Sequence, residues 1–156
     1  MELVRQIEVP AAARELSTLS RVDYADAFRV DTGSAAGRTA EQWARAVLED
    51  APATTRTTLL SGWASLGLKV GRPGSDGTVL GWKVRRNTPD VLLLGADSRI
   101  GMPGELLFKR ERDGLLFATF VQYGNPAARA VWAGVENVHA RIVRSILERA
   151  GRRSSD

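Results

Sequence analysis

One stretch near the C-terminus constrains this chain more than any other. From Ala127 to Ala150 the apolar residues Val131, Val135, Val138, Ile142 and Ile146 recur at helical spacing and form one stripe. Trp132, His139, Val143, Leu147 and Ala150 widen that stripe to about half the circumference, with Asn137, Arg141, Arg144 and Glu148 opposite. Asn125 suits the N-cap, because its side-chain oxygen can accept from an orphan N–H of the first turn. Pro126 follows where a missing N–H costs nothing. Gly151 is placed to end the helix in a left-handed conformation. A stripe this wide predicts a helix laid across a sheet and touching more than one neighbour.

The 156 residues, 44% hydrophobic and 26% charged, suit one soluble domain with a sizeable core. That domain is expected over 1–156, with 1–20 a partly ordered arm and 151–156 a flexible tail. Absence of cysteine excludes disulfides, thiolate metal sites and a cysteine nucleophile, and fits a cytoplasmic location. No apolar run approaches the ~20 residues of a membrane span, and Glu2, Arg5 and Glu8 interrupt any secretory signal. Of the basic groups, Lys83, Arg85 and Arg86 on one strand and Arg149, Arg152 and Arg153 at the tail come nearest to a concentrated face. With 22 basic residues against 18 acidic, their ordinary reading is solvated surface, and no nucleic-acid partner is expected.

In chain order, "IEVP" near the N-terminus is open between a short strand and an extended arm. Arg21 to Val30 alternates as a strand, with Tyr24, Asp26, Phe28 and Val30 on one side. Gly33 to Gly37 is a small-residue loop. Thr39 to Gln42 spells a capping box that opens a helix with Trp43, Val47 and Leu48 inward, ended by Pro52. A second helix runs from Thr54 or Thr55 to Leu66, with Leu59, Leu60, Trp63 and Leu66 inward and Gly67 as its stop. After the turn-forming loop "GRPGSDG" (71–77) come four strand candidates, Thr78 to Arg86, Val91 to Ala96, Glu105 to Arg112 and Leu115 to Tyr123. Val91 to Ala96 is apolar on both faces, so it is expected to be covered on both. Asn87 to Asp90 and Asp113-Gly114 mark hairpins, the latter as the central pair of a type I′ turn. Serial strands with segregated helices predict an α+β fold whose antiparallel sheet curves around the C-terminal helix.

That order is similar to the helix-grip fold of the START/Bet v 1-like (SRPBCC) superfamily, in which two short helices follow the first strand and a curved sheet grips a long C-terminal helix. The segments "DYADAF" (23–28), "RTAEQWARAVLE" (38–49) and "VWAGVENVHARIVRSILERA" (131–150) resemble the uncharacterised bacterial family DUF2867 over roughly residues 10 to 150. The departure is in strand number. Five clear strands are legible, so either the sheet is short or strands near residues 7–9 and 97–101 complete it.

Motif searches leave few candidates for chemistry. With one histidine and no cysteine no metal site or cofactor is expected, and "GRPGSDG" matches neither a dinucleotide nor a Walker loop. His139 sits within the apolar stripe. Its ordinary reading is a core histidine with one hydrogen bond; the sharper one is a polar group orienting a ligand or moving a proton. Asp26 shares a face with Tyr24 and Phe28, and its ordinary reading is a strand carboxylate paired with Arg29 or Arg99. Asp23, three residues away, faces the opposite side. In a grip fold the cavity lies between sheet and helix, and Trp63, Trp82, Phe108, Phe117, Tyr123, Trp132 and His139 are the expected lining. The favoured function is binding of a small hydrophobic or amphipathic molecule there. Two alternatives stand beside it. One is a cyclase- or dehydratase-like enzyme with His139 or Asp26 as general base and Tyr123 polarising a carbonyl. The other is a homodimeric interaction protein.

Overall fold

A computed structural model describes residues 3–32 and 37–154, which leaves most of the predicted 33–37 loop outside the described residues. The elements run β1 (Val4–Ile7), α1 (Ala11–Arg14), β2 (Tyr24–Asp31), α2 (Ala40–Leu48), α3 (Ala53–Ser65), β3 (Thr78–Val79), β4 (Trp82–Asn87), β5 (Val91–Ala96), β6 (Gly104–Glu111), β7 (Gly114–Val121) and α4 (Pro126–Ser154). The strands form one antiparallel sheet in the order β1-β2-β7-β6-β5-β4-β3. The sheet is curved and α4 lies against it, the α+β helix-grip arrangement. No helix among the described residues is long and apolar enough to cross a membrane.

Alternation decides what each face of the sheet meets. Phe28, Val30, Leu92, Leu94, Phe108, Leu115 and Phe117 point inward and join Trp43, Val47 and Leu48 of α2 and Val143, Ile146 and Leu147 of α4 in the main core. The residues between them, among them Leu93, Leu107, Leu116 and Phe120, point outward into a second cluster. β5 is thus covered on both sides, as its unbroken apolar run predicts. The capping box forms as written, with Thr39 Oγ1 accepting from Gln42 N–H and Gln42 Oε1 accepting from Thr39 N–H. Asn125 caps α4 by accepting from Ala128 N–H at 2.8 Å.

Several expectations are corrected. The expected partly ordered arm, 1–20, is described from residue 3 on. β1 adds an edge strand, and Val9, Ala13, Leu16, Leu19 and Val22 strap across the outer face of the sheet. The strap is fastened by Glu105, wholly buried at 0% exposure. Its carboxylate accepts from Ser17 Oγ–H, Thr18 N–H and Oγ1–H, and Arg85 Nη1. Arg85 is the extra residue of a β-bulge in β4 and lies over Gly95, where a Cβ would collide with the guanidinium. Within the expected 78–86 strand the chain turns tightly at Leu80-Gly81. Both have positive φ (47° and 87°) and Val79 pairs with Trp82, so the type I′ turn is here. In the β6–β7 hairpin the turn residues are Arg112 and Asp113. Gly114 opens β7 because any Cβ there would lie 1.8 Å from the Val30 carbonyl oxygen. Gly151 does not end α4, which runs on to Ser154. It is a close-approach position, with Val30 2.9 Å from where a Cβ would stand. Near residues 97–101 there is only a single bridge, Leu68 to Ser98.

Candidate functional site

The two middle helices are held very differently, and that difference makes a cleft. α2 buries Trp43, Ala44, Val47 and Leu48, whereas α3 buries only Leu59. Four threonines interrupt any apolar face on α3, and two of them turn back on the helix, Thr57 onto Ala53 O and Thr58 onto Thr54 O. Such local bonds do nothing to anchor a helix to its neighbours. On α4 the line Trp132, Val143, Leu147 and Ala150 is buried, but Val131 and Val138 of the predicted stripe are 38% and 45% exposed. The stripe is therefore only partly core, and much of its remainder faces α3 across an opening.

That opening is a cleft of about 170 Å³ walled by Thr58, Leu59, Gly62, Trp63 and Ser65 of α3 and its C-cap Leu66, by Leu106 and Phe117 of the sheet, and by Trp132, Val135, Val138, His139, Ile142, Val143 and Ile146 of α4. A smaller cavity of about 50 Å³ lies beside it and shares Trp63, Leu66, Leu106, Trp132 and His139. Most of the wall is apolar. His139 is its most conspicuous polar group.

His139 belongs to a closed ring of four side chains. Its Nε2 is 3.3 Å from Asp26 Oδ2 and 3.1 Å from Thr119 Oγ1. Tyr24 O–H donates to the same Asp26 oxygen at 2.6 Å. Trp132 closes the ring, packing its indole 5.0 Å from both the Tyr24 and the His139 rings. Strand register explains the sheet side. Tyr24 and Asp26 are two apart on one face of β2, and Asp26 stands directly opposite Thr119 of β7. Helix periodicity explains the other side, since Trp132 and His139 are two turns apart. Asp26 is 4% exposed and its Oδ1 has no hydrogen-bond partner. Burial, and next the hydrogen bond to Asp26, raise the Tyr24 phenol far above its usual value, so Tyr24 stays a proton donor.

The expected site residues divide accordingly. Trp63, Phe117, Trp132 and His139 line the cleft. Trp82 stands behind it, edge-on to Trp63 at 5.4 Å, on the wall of the smaller cavity. Phe108 is fully buried behind Phe117, with ring centroids 5.1 Å apart. Tyr123 is on neither wall. It lies under the Arg129 guanidinium, 5.1 Å away, while its backbone N–H donates to Asp23. Asp26 does not pair with Arg29 or Arg99; Arg29 bonds Glu111 instead. Sequence reasoning missed Tyr24 and Thr119 as members of the site. The alternation of β2 already put Tyr24 beside Asp26, but nothing local shows that Thr119 is Asp26's cross-strand neighbour. The charged run in β4 is not a free basic face either, because Arg85 is bound to Glu105 and lies 3.6 Å from Asp97.

Compared with family models, curated proteins and solved structures, the chain matches none.

Proposed function

We propose that this protein binds a small, mostly apolar molecule in the cleft between α3, the sheet and α4. The observation that carries this reading is the apolar surface left open there. Val135, Val138 and Ile142 of α4 face Trp63 of α3 and the C-cap Leu66 across about 170 Å³, where close packing would normally leave no gap of that size. Concave, apolar walls with a few polar groups are the usual form of a small-molecule site. The likeness to the SRPBCC superfamily, which rests on the order of elements, and that to DUF2867, which rests on the three segments quoted above, are consistent with this reading.

A titration of single-ring apolar fragments, followed through indole N–H resonances, tests the proposal. The four tryptophans give four signals, and those of Trp63 and Trp132 should move first and saturate together. No movement at millimolar fragment, or movement at Trp43 alone, would remove the cleft as a binding site.

The Asp26–His139 contact supports a second reading, an enzyme of the cyclase or dehydratase kind with His139 as general base. In that reading the phenol beside the base is Tyr24 and not Tyr123, which lies outside the cleft wall.

A further inference from the structure

We infer that the cleft selects a single aromatic ring bearing a hydrogen-bond donor, a phenol-type molecule whose O–H is accepted by His139 Nδ1; this rests on the binding reading above.

The tautomer of His139 follows from its partners. A carboxylate oxygen accepts and does not donate. Asp26 Oδ2 already accepts a hydrogen bond from Tyr24 O–H and lies 3.3 Å from Nε2. A bare lone pair on Nε2 would face that oxygen, so Nε2 carries the imidazole hydrogen and shares it with Thr119 Oγ1 at 3.1 Å. A neutral imidazole has one donor and one acceptor, which leaves the lone pair on Nδ1. That nitrogen has no hydrogen-bond partner among the described residues, and it is not among the buried polar atoms cut off from solvent. It stands on a residue that forms part of the wall of both cavities. The two hydroxyls on the larger wall have committed their protons elsewhere. Ser65 donates to Gly62 O and Thr58 to Thr54 O. The ligand must therefore supply the proton that Nδ1 accepts.

Size narrows the class. A closed apolar cavity of about 150 Å³ takes benzene, and this cleft has about 170 Å³. One ring fills that space, and anything larger would extend out of the cleft. Trp63, Phe117 and Trp132 give that ring aromatic neighbours, which favour edge-to-face contact. Any substituent on the far side of the ring would leave past the exposed Val138.

Three near-isosteric probes test this by calorimetry: p-cresol, which donates; 4-methylanisole, which only accepts; and p-xylene, which does neither. The readout is the p-cresol to p-xylene affinity ratio, which cancels the shared apolar contribution. This ratio should fall about tenfold from wild type to His139→Phe, the worth of one hydrogen bond, while p-xylene binding persists. Binding of 4-methylanisole to wild type is the second measurement. It brings no hydrogen to Nδ1, so it should bind no better than p-xylene. An unchanged ratio in His139→Phe, or 4-methylanisole matching p-cresol on wild type, overturns the inference and leaves the binding site standing. Failure of all three to bind wild-type protein overturns the binding site itself.

Discussion

Tyr24 shows how a single side chain can fix the chemistry of its neighbours. Its hydroxyl is the inner end of a strand-face pair with Asp26, and burial there disfavours the phenolate. The sign of the linkage follows. A phenol whose folded pKa lies above its unfolded value of 10.0 contributes stability that is fully present below pH 10.0 and is lost as pH rises through its folded value. Tyr123, the only other tyrosine, is also raised, by burial first and then by Glu136. An alkaline titration of phenolate absorbance should therefore show Tyr123 titrating above its usual value and Tyr24 silent while the protein is folded. The Tyr24 signal should arrive together with loss of circular dichroism, and Tyr24→Phe should flatten the fall in stability above pH 10.0. Much of this neighbourhood was legible in advance. The period-two pattern puts Tyr24, Asp26 and Phe28 on one face, and the helical period puts Trp132 and His139 on another. What no local pattern contains is the register that sets Asp26 against Thr119, because that pairing depends on residues more than ninety positions apart.

At the scale of elements, α3 is the least committed part of the fold. It has one buried side chain, and its Gly62 faces open space, since a Cβ there would meet nothing within 4 Å. Gly134 in α4 has the same freedom. Glycine costs a helix interior roughly 0.8–1.0 kcal/mol relative to alanine. Gly62→Ala and Gly134→Ala should each raise stability by about that much in denaturant unfolding. They should differ in binding, because only Gly62 lines the cleft and only there does the added methyl narrow it. The tight turns show where element-level reading from sequence stops. Asp113-Gly114 has the composition of a type I′ turn, yet the turn of that kind is Leu80-Gly81, where a leucine is held at positive φ. Its side chain is buried in the core and its N–H donates to Glu49 Oε2 at 3.0 Å. Tertiary packing has overridden local preference there. Gly151 misleads for the mirror-image reason. Its lack of a side chain serves contact with Val30, not helix termination.

The molecule as a whole is a sheet covered on both faces, by α2 and α4 inside and by the N-terminal strap outside. The outer cover was not legible, because Val9, Leu16, Leu19 and Val22 follow no single period and make sense only against Leu93, Leu107 and Phe120. One buried carboxylate fastens it. Glu105→Ala should cost about 3–5 kcal/mol, the usual penalty for removing one partner of a buried ion pair, and should release the strap. The check is hydrogen exchange, with residues 13–22 losing protection before the α2–α4 core does, and with apolar dye binding rising as the outer face is bared. Another contact has consequences in time. Arg144 donates to the Val4 carbonyl at 2.9 Å, and Gly151 packs against Leu3. A segment made early is thus completed by one made 140 residues later. At about 5–20 residues per second, those early residues wait on the order of ten seconds for their partner. Until β7 follows, β2 has only β1 beside it, and until α4 follows, α2 alone is there to cover the inner face of the nascent sheet. A chaperone that shields apolar strands would have its window there, before α4 arrives and closes the grip.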